Sequence, residues 1–227
     1  MRPLFSEKIS DNSEQINGST LGEKILSDKN IDFPLNKEIL NLRTALLLAK
    51  GEHGVNSLLL AGLESGVGAT SIAVALSIAI AWDNVTRVLI IDANFQNPQL
   101  DKVFKIPSDK RAGLIRDTSI QNLKCIPYGR LIRAGNRQFD SFMRVLNELE
   151  SEFDFIIIDS APLNASPEVM MLSTYFKSMA VVVEAEKTRI PSLQKVIDEL
   201  KQTKAHILGV VLNRKKNYLP KAIANYL

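Results

Sequence analysis

The chain has 227 residues, a length that suits one large domain or two small ones. A hydrophobic share of 45% and a charged share of 23% are ordinary for a globular protein, which excludes global disorder and fibrous chains. The 28 basic and 25 acidic side chains leave a net charge of +3, too small a surplus to indicate a nucleic-acid-binding protein.

The cysteine and hydropathy patterns exclude two further classes. Cys125 is the one cysteine, so disulfides are excluded, and with His53 and His206 it is too little for a Cys/His zinc site. We therefore expect that the protein holds no structural metal and that it works in a reducing cytoplasm. The longest nearly apolar run, Ile72–Trp82, has 11 residues, whereas a spanning helix needs about 20, so no direct membrane insertion is expected.

The chain divides into three parts by composition. Residues 1–33 are polar, lack sustained apolar periodicity and predict a flexible arm, with at most a helical turn around Leu21–Leu26. Residues 34–215 predict an α/β domain, and residues 216–227 a short C-terminal tail. The domain begins with a helix that reaches about Lys50, because Ile39, Leu42 and Leu46 recur at helical spacing.

Short apolar runs then alternate with longer helical patterns. The predicted strands are Ser57–Ala61, Arg87–Asp92, Leu123–Ile126, Phe155–Asp159, Met179–Val183 and Ile207–Leu212. The predicted helices are Thr70–Trp82, Gln138–Ser151, Pro167–Phe176 and Pro191–Thr203. Continuous apolar strands are typical of parallel sheets that are buried on both faces. The sequence therefore predicts a doubly wound, mainly parallel α/β sheet with helices on both faces.

A glycine-rich turn joins the first of these strands to the next helix, with the sequence Gly62-Leu-Glu-Ser-Gly-Val-Gly-Ala-Thr-Ser71. Such a turn lets backbone N–H groups converge on a phosphate, and the helix N-terminus adds partial positive charge. The spacing matches a P-loop with Thr70 placed to bind Mg²⁺, but Ala69 stands where the lysine belongs. The candidate nucleotide-binding residues are Gly66, Val67, Gly68, Ala69, Thr70 and Ser71. The alternative is a tight turn whose glycines serve packing alone.

Two later strands end in aspartates, Asp92 and Asp159. A carboxylate at the C-terminal end of a central parallel strand faces the crevice where ligands bind, and it can hold Mg²⁺ directly or through water. With Thr70 they form the candidate metal site. The alternative for either aspartate is to cap the turn that follows its strand.

Together these segments resemble the bacterial tyrosine kinases of capsule and exopolysaccharide synthesis, within the MinD/ParA-like branch of P-loop ATPases. The resemblance extends from about Pro34 to Asn213. Val88–Pro98 is similar to the family's Walker A′ segment, and Phe153–Pro162 is similar to its Walker B segment. The resemblance implies a P-loop NTPase-like fold.

The resemblance also implies roles for single residues. Asp92 and Asp159 would be the catalytic carboxylates, and Asn213 would contact the adenine of Mg-ATP or Mg-ADP. The departures fall on this chemistry: Ala69 replaces the lysine that clamps the phosphates, Asn94 replaces the second Asp of the A′ segment, and Gln96 replaces its Arg. Losing one such charge typically costs about 10²–10³ in rate, so transfer is expected to be weak or absent.

Two other features of the kinase family are reduced. The helix before the P-loop usually carries a Glu and two Arg for ring assembly, whereas here Arg43 remains beside Lys37 and Leu40. We expect no stable ring, a monomer or homodimer, and Leu40 packed inward. The terminal tyrosine cluster is represented by Tyr218 and Tyr226 alone.

These features imply a degenerate, kinase-like bacterial protein that binds nucleotide weakly and regulates a membrane polysaccharide copolymerase, or chain-length regulator. It would be cytoplasmic and recruited by that partner to the inner face of the cell membrane, without a nucleic-acid partner. The alternative is an active ATP-dependent protein-tyrosine autokinase or ATPase of the same pathway, with its lysine supplied by Lys187, Lys215 or Lys216. A MinD- or ParA-like positioning role is the third hypothesis, although Glu64 and Ser65 stand where such loops carry a second lysine.

Overall fold

A computed structural model describes residues 5–10, 37–107, 113–127, 139–165, 167–176, 178–203 and 205–215. The strands are β1 (Phe5–Ser10), β2 (Ser57–Gly62), β3 (Val88–Ala93), β4 (Arg116–Asp117), β5 (Leu123–Ile126), β6 (Phe155–Ser160), β7 (Met179–Glu184) and β8 (Ile207–Lys215). The helices are α1 (Lys37–His53), α2 (Ala69–Ala81), α3 (Leu100–Val103), α4 (Phe139–Glu152), α5 (Pro167–Ser173) and α6 (Ile190–Gln202), with a 3₁₀ turn at Leu163–Ala165.

The strands form one sheet in the order β1-β8-β7-β2-β6-β3-β5-β4. Every neighbouring pair is parallel except β4 with β5, which is antiparallel. The central strands β2, β3 and β6 are buried along nearly their whole length, as a sheet covered on both faces requires. The predicted doubly wound α/β fold is therefore confirmed.

Alternate residues of strands β2, β3, β5, β6, β7 and β8 enter two different apolar cores. On one face, Ile90 and Ile157 share a core with Leu42 and Leu46 of α1 and with most of α2. On the other face, neighbouring strand residues pack against α4, α5 and α6. This division decides which helix each strand-end side chain meets, because side chains two residues apart lie on the same face.

Helix α2 is apolar on all sides, and its residues from Ile72 to Ala81 are buried. A helix of this kind belongs to a protein core, and its 13 residues are fewer than the about 20 that cross a bilayer. Within the described ranges, no helix combines the length and hydropathy needed to span a membrane.

The structure differs from the sequence prediction in three short elements. Phe5–Ser10 lies in the segment for which a flexible arm was predicted, yet it forms β1 and pairs in parallel with β8. Without β1, the backbone edge of β8 would be unpaired, and this edge supplies the hydrogen-bond partners of β1. The local sequence of β1 does not predict that pairing. Strand β4 and helix α3 have only two and four residues, too few for a periodic pattern. The predicted turn around Leu21–Leu26 and the tail 216–227 lie outside the described residues.

Candidate functional site

The glycine-rich turn leads from the end of β2 into the first residue of α2. Gly66 and Gly68 have φ angles of +81° and +90°, a left-handed conformation that only glycine adopts without strain. The first bond of the helix runs from the Ile72 N–H to the Gly68 carbonyl, at 3.1 Å. The N–H groups of Ala69, Thr70 and Ser71 precede it, and no side chain in the described part of the chain caps the helix. The turn thus has the form of a phosphate-binding loop.

Two strands, β7 and β8, and the 3₁₀ turn at Leu163–Ala165 hold this loop in place. The Leu63 N–H donates to the Val182 carbonyl at 2.8 Å, and the Leu63 carbonyl accepts the Asn164 N–H at 3.1 Å. Further along the loop, the side-chain amide Nδ2 of Asn213, at the end of β8, donates to the Val67 carbonyl at 2.8 Å. The predicted nucleotide-binding residues 66–71 and Asn213 are therefore brought together.

Asp92 and Asp159 lie opposite each other at the C-terminal ends of β3 and β6. Two residues earlier, Ile90 and Ile157 face the core beneath α2, so both carboxylates are on the α2 side of the sheet. Both are buried, with relative exposures of 4% and 0%. The structure thus places both predicted carboxylates beside the loop that begins α2.

The carboxylate of Asp92 is bound by the backbone of the segment that follows β3. Its Oδ1 accepts the Asn94 N–H, and its Oδ2 accepts those of Gln99 and Leu100, each at 3.0 Å. Burial raises the pKa of Asp92, the three N–H donors oppose that rise, and the charge of Asp101 adds to it. Asp92 thus caps the β3–α3 turn, which is the alternative role that the sequence left open.

The carboxylate of Asp159 has the opposite surroundings. Among the described residues, neither of its oxygens has a hydrogen-bond partner of ordinary geometry. Burial raises its pKa to about 8; the Thr70 hydroxyl opposes this rise and the charge of Asp92 adds to it. A buried carboxyl with both oxygens free, next to a threonine hydroxyl and a second carboxylate, is a donor set that suits Mg²⁺. Among the described residues, no group of three or more His, Cys, Asp or Glu side chains is arranged so that it could hold a metal ion.

Asn94 and Gln96, which stand at the positions of an Asp and an Arg in the kinase family, make local contacts. The Asn94 Oδ1 accepts the Asn97 N–H at 3.1 Å, which closes a turn. The Gln96 Nε2 donates to the Ala165 carbonyl at 2.9 Å and joins the segment after β3 to the segment after β6. Both side chains therefore shape the rim of the site without bringing charge to it.

Two basic side chains near the carboxyl ends of β7 and β8 are paired with Glu184, at the end of β7. Lys187 Nζ lies 2.6 Å from Glu184 Oε1, and Arg214 Nη1 lies 3.0 Å from Glu184 Oε2. Glu184, which the sequence did not single out, ends the buried strand β7 and pairs in register with Asn213 of β8. Lys216, one of the proposed substitutes for the missing lysine, lies outside the described residues.

Helix α1 presents a mixed surface. Arg43 Nη2 lies 3.7 Å from Asp83 Oδ2, which connects α1 to the turn after α2. Leu40 is 38% exposed, so the expectation that it packs inward is wrong. Ile39, one position earlier, takes the inward place and packs against Ala75 and Ala79.

A separate groove of about 850 Å³ lies at the opposite edge of the sheet, where β3, β5 and β6 begin. Its walls come from Arg87, Asp117–Lys124 and Ser151–Phe153. None of the predicted site residues lines it. We assign the candidate site to the loop and the two aspartates because the phosphate-binding turn and buried carboxylates converge there.

Comparison with known proteins supports the α/β fold described above. A sequence model described as "Cellulose biosynthesis protein BcsQ" matches residues 55–208. The putative tyrosine-protein kinase CapB of Staphylococcus aureus is 24% identical over 195 residues, which cover 79% of this chain and 84% of CapB. The putative tyrosine-protein kinase EpsB of Ralstonia nicotianae is 26% identical over 226 residues, which cover 93% of this chain but only 30% of EpsB.

Solved structures share the architecture. The chimerical protein CapA2B2 superposes with a TM-score of 0.71 at 21% identity, covering 86% of this chain and 91% of its own. Cobyrinic acid a,c-diamide synthase from Mycobacterium smegmatis, solved with a bound ATP analogue and magnesium, has a TM-score of 0.54 at 20% identity, covering 70% of this chain and 74% of its own. The resemblance to bacterial tyrosine kinases with a MinD/ParA-like fold is confirmed.

Proposed function

We propose that this chain, which belongs to the cellulose biosynthesis protein BcsQ family, is a degenerate, tyrosine-kinase-like regulator of exopolysaccharide or capsule biosynthesis. In this proposal it binds Mg-ATP or Mg-ADP weakly and acts on a membrane polysaccharide copolymerase or chain-length regulator with weak or no phosphoryl transfer. It works in the cytoplasm and reaches the membrane through that partner. Its relatives CapB and EpsB are named as putative tyrosine-protein kinases.

One observation carries the nucleotide part of the proposal: the unpartnered, buried Asp159 carboxyl beside the N-terminus of α2. A buried carboxyl without hydrogen-bond partners lowers the stability of the folded protein. Its presence here favours a ligand that supplies those missing contacts. Asp159, Thr70 and the remaining acceptor capacity of Asp92 would hold Mg²⁺. The ion, when bound, would neutralise charge on the nucleotide phosphates.

The chain's own residues support binding better than catalysis. The N–H groups at the start of α2 can bind and orient phosphate oxygens, as can the turn that Gly66 and Gly68 form. Ala69 brings no charge to the phosphates, and Asn94 and Gln96 are used in local hydrogen bonds. Phosphoryl transfer depends on charge stabilisation in the transition state, so these three substitutions favour a regulatory role.

The active autokinase remains the second candidate. It requires a cation to replace the P-loop lysine, and Lys187, in the turn after β7, is one of the described candidates. Its ammonium is paired with Glu184, so it would have to leave that carboxylate to reach a phosphate.

The proposal is tested by calorimetric titration with Mg-ADP and Mg-ATP, together with a phosphotyrosine assay. We expect weak Mg²⁺-dependent binding that Asp159→Asn removes, and no tyrosine phosphorylation. Asp154→Asn, at the opposite edge of the sheet, is the matched control and should bind as the wild type does. Absence of binding in the wild type would refute the nucleotide site, and phosphorylation that Asp159→Asn abolishes would establish the active kinase.

The pathway role needs a separate experiment in cells. Deleting the gene is expected to change the length or amount of a surface polysaccharide, and the wild-type gene should restore it. A polysaccharide that is unchanged after deletion would contradict the regulatory role whatever the nucleotide result.

A further inference from the structure

The side chain of Asn213 makes two hydrogen bonds within the protein itself. Its Nδ2 donates to the Val67 carbonyl at 2.8 Å, and its Oδ1 accepts the Arg214 N–H at 2.9 Å. Val67 and Asn213 are 146 positions apart in the chain, so the bond joins the glycine-rich loop to the end of β8. The family resemblance implies an adenine contact for Asn213, and the structure gives the same side chain two hydrogen bonds within the protein.

The backbone on both sides is shaped around this amide. Gly68 has a φ of +90°, and a Cβ there would overlap the Asn213 Nδ2, so the glycine leaves room for the bond. Arg214 has a φ of +56°, unusual for a residue with a side chain, and this turns its N–H towards the Asn213 Oδ1. Glu184 supports that conformation through the guanidinium of Arg214, at 3.0 Å.

Holding the Val67 carbonyl fixes the peptide unit between Val67 and Gly68. In a trans peptide the carbonyl and the following N–H point in opposite directions. A carbonyl turned to Asn213 therefore turns the Gly68 N–H away from β8. Backbone N–H groups of this turn are the donors available to a phosphate, and Ala69 adds no charge that could compensate for a misplaced one.

We infer that Asn213 is a positioning residue that sets the orientation of the Val67–Gly68 peptide, and through it the affinity for phosphate, independently of any base. The inference deepens the proposed nucleotide binding and rests on it. It assigns to the end of β8 a part in phosphate binding in addition to the adenine contact that the resemblance implies.

The test compares a ligand with a base to one without. Mg-ADP and Mg-tripolyphosphate are titrated into the wild type, into Asn213→Asp, which keeps the shape but replaces the donor with a negatively charged acceptor, and into Asn213→Ala. Loss of one neutral hydrogen bond is expected to weaken tripolyphosphate binding roughly three- to tenfold in Asn213→Ala. Asn213→Asp should weaken it at least as much, because its carboxylate also repels phosphate. Asn147→Asp, an exposed position on α4, is the matched control and should bind like the wild type. Variants that bind tripolyphosphate normally but lose affinity for Mg-ADP would overturn the inference and leave a base contact only.

A ligand-free measurement separates this inference from the proposed function. Hydrogen exchange at the Ile72 amide reports the first turn of α2, because that N–H donates to the Gly68 carbonyl. Faster exchange in Asn213→Asp than in Asn147→Asp is expected. If the wild type binds neither ligand, the proposed function fails while this measurement still decides the loop's dependence on Asn213. Equal exchange in the two variants would refute that dependence.

Discussion

Asp92 and Asp159 are opposite partners on adjacent parallel strands, yet their carboxylates have contrasting surroundings. Asp92 accepts three backbone N–H groups, whereas the buried oxygens of Asp159 accept none from the described residues. The difference arises after the strands end, because the segment following β3 turns back over Asp92. The two carboxylates therefore differ in their partners: Asp92 holds the segment after β3, whereas Asp159 keeps both oxygens without a hydrogen bond from the described residues.

Replacing Asp159 with Asn is expected to stabilise the ligand-free protein. The folded-state pKa of about 8 lies above the ordinary value of 3.8, so between these values the folded state binds more protons than the unfolded state. Rising pH in this window therefore lowers the stability of the wild type but not of the variant. At pH 7.5 we expect the variant to melt higher by at least about 2–4 °C, since one pKa unit corresponds to about 1.4 kcal/mol.

The pH dependence of that difference is its control. The melting temperatures of wild type and Asp159→Asn should converge near pH 4, separate up to about pH 8 and remain parallel above it. A variant that is less stable than the wild type across this range would show that Asp159 is satisfied in the folded protein.

Replacing Asp92 with Ala is expected to destabilise the protein, because three backbone N–H groups lose their acceptor. Leaving a buried donor unsatisfied costs about 1–3 kcal/mol, and part of that cost is recovered if water reaches the turn. Asp92→Asn keeps one side-chain oxygen and should lie between Ala and the wild type in urea unfolding. An Ala variant as stable as the wild type would mean that the hydrogen bonds to Asp92 contribute nothing net.

The ion pair between Arg87 and Asp154 predicts a different pH effect at the opposite edge of the sheet. The Arg87 side chain and backbone N–H donate to Asp154 and lower the pKa of that carboxyl to about 2. A lowered folded-state pKa adds stability above about pH 4 that is lost as the pH falls towards 2. Because both side chains are partly exposed, Asp154→Asn should lower the melting temperature at pH 7 by only about 1–3 °C. A difference that persists unchanged at pH 2 would contradict the ionic origin.

The strands of the core could be predicted because a strand that is buried on both faces is a short, continuous run of apolar residues, such as Phe155–Ile158. The site's location was also predictable, since the carboxyl ends of parallel strands share one edge with the glycine-rich turn. Strand β1 was missed because its partner, β8, lies about 200 positions away in the chain. The bond between Asn213 and Val67 was missed for the same reason: side-chain partners across the fold leave no periodic signal.

The buried and exposed positions on α1 show a further limit of prediction from the sequence. Helical spacing correctly identified Ile39, Leu42 and Leu46 as core residues. It could not tell that Leu40, also apolar, would remain exposed, because the boundary of the buried stripe depends on how α1 lies against α2. A single apolar residue next to such a stripe can be either buried in the core or exposed to solvent.

Restoring the P-loop lysine tests the chemistry most directly. Ala69→Lys is expected to tighten Mg-ATP binding roughly 10–100-fold, because a hydrogen bond to a charged group contributes about 1.5–3 kcal/mol. Tyrosine phosphorylation should still not appear, since Asn94 and Gln96 bring no charge to the transition state. Calorimetry and a phosphotyrosine assay on the same preparation measure both effects, with Ala69→Met as a control of similar length but no charge. If Lys and Met bind Mg-ATP equally, the missing ammonium is not what limits affinity; if the Lys variant phosphorylates tyrosine, the A′ substitutions are not what silences the site.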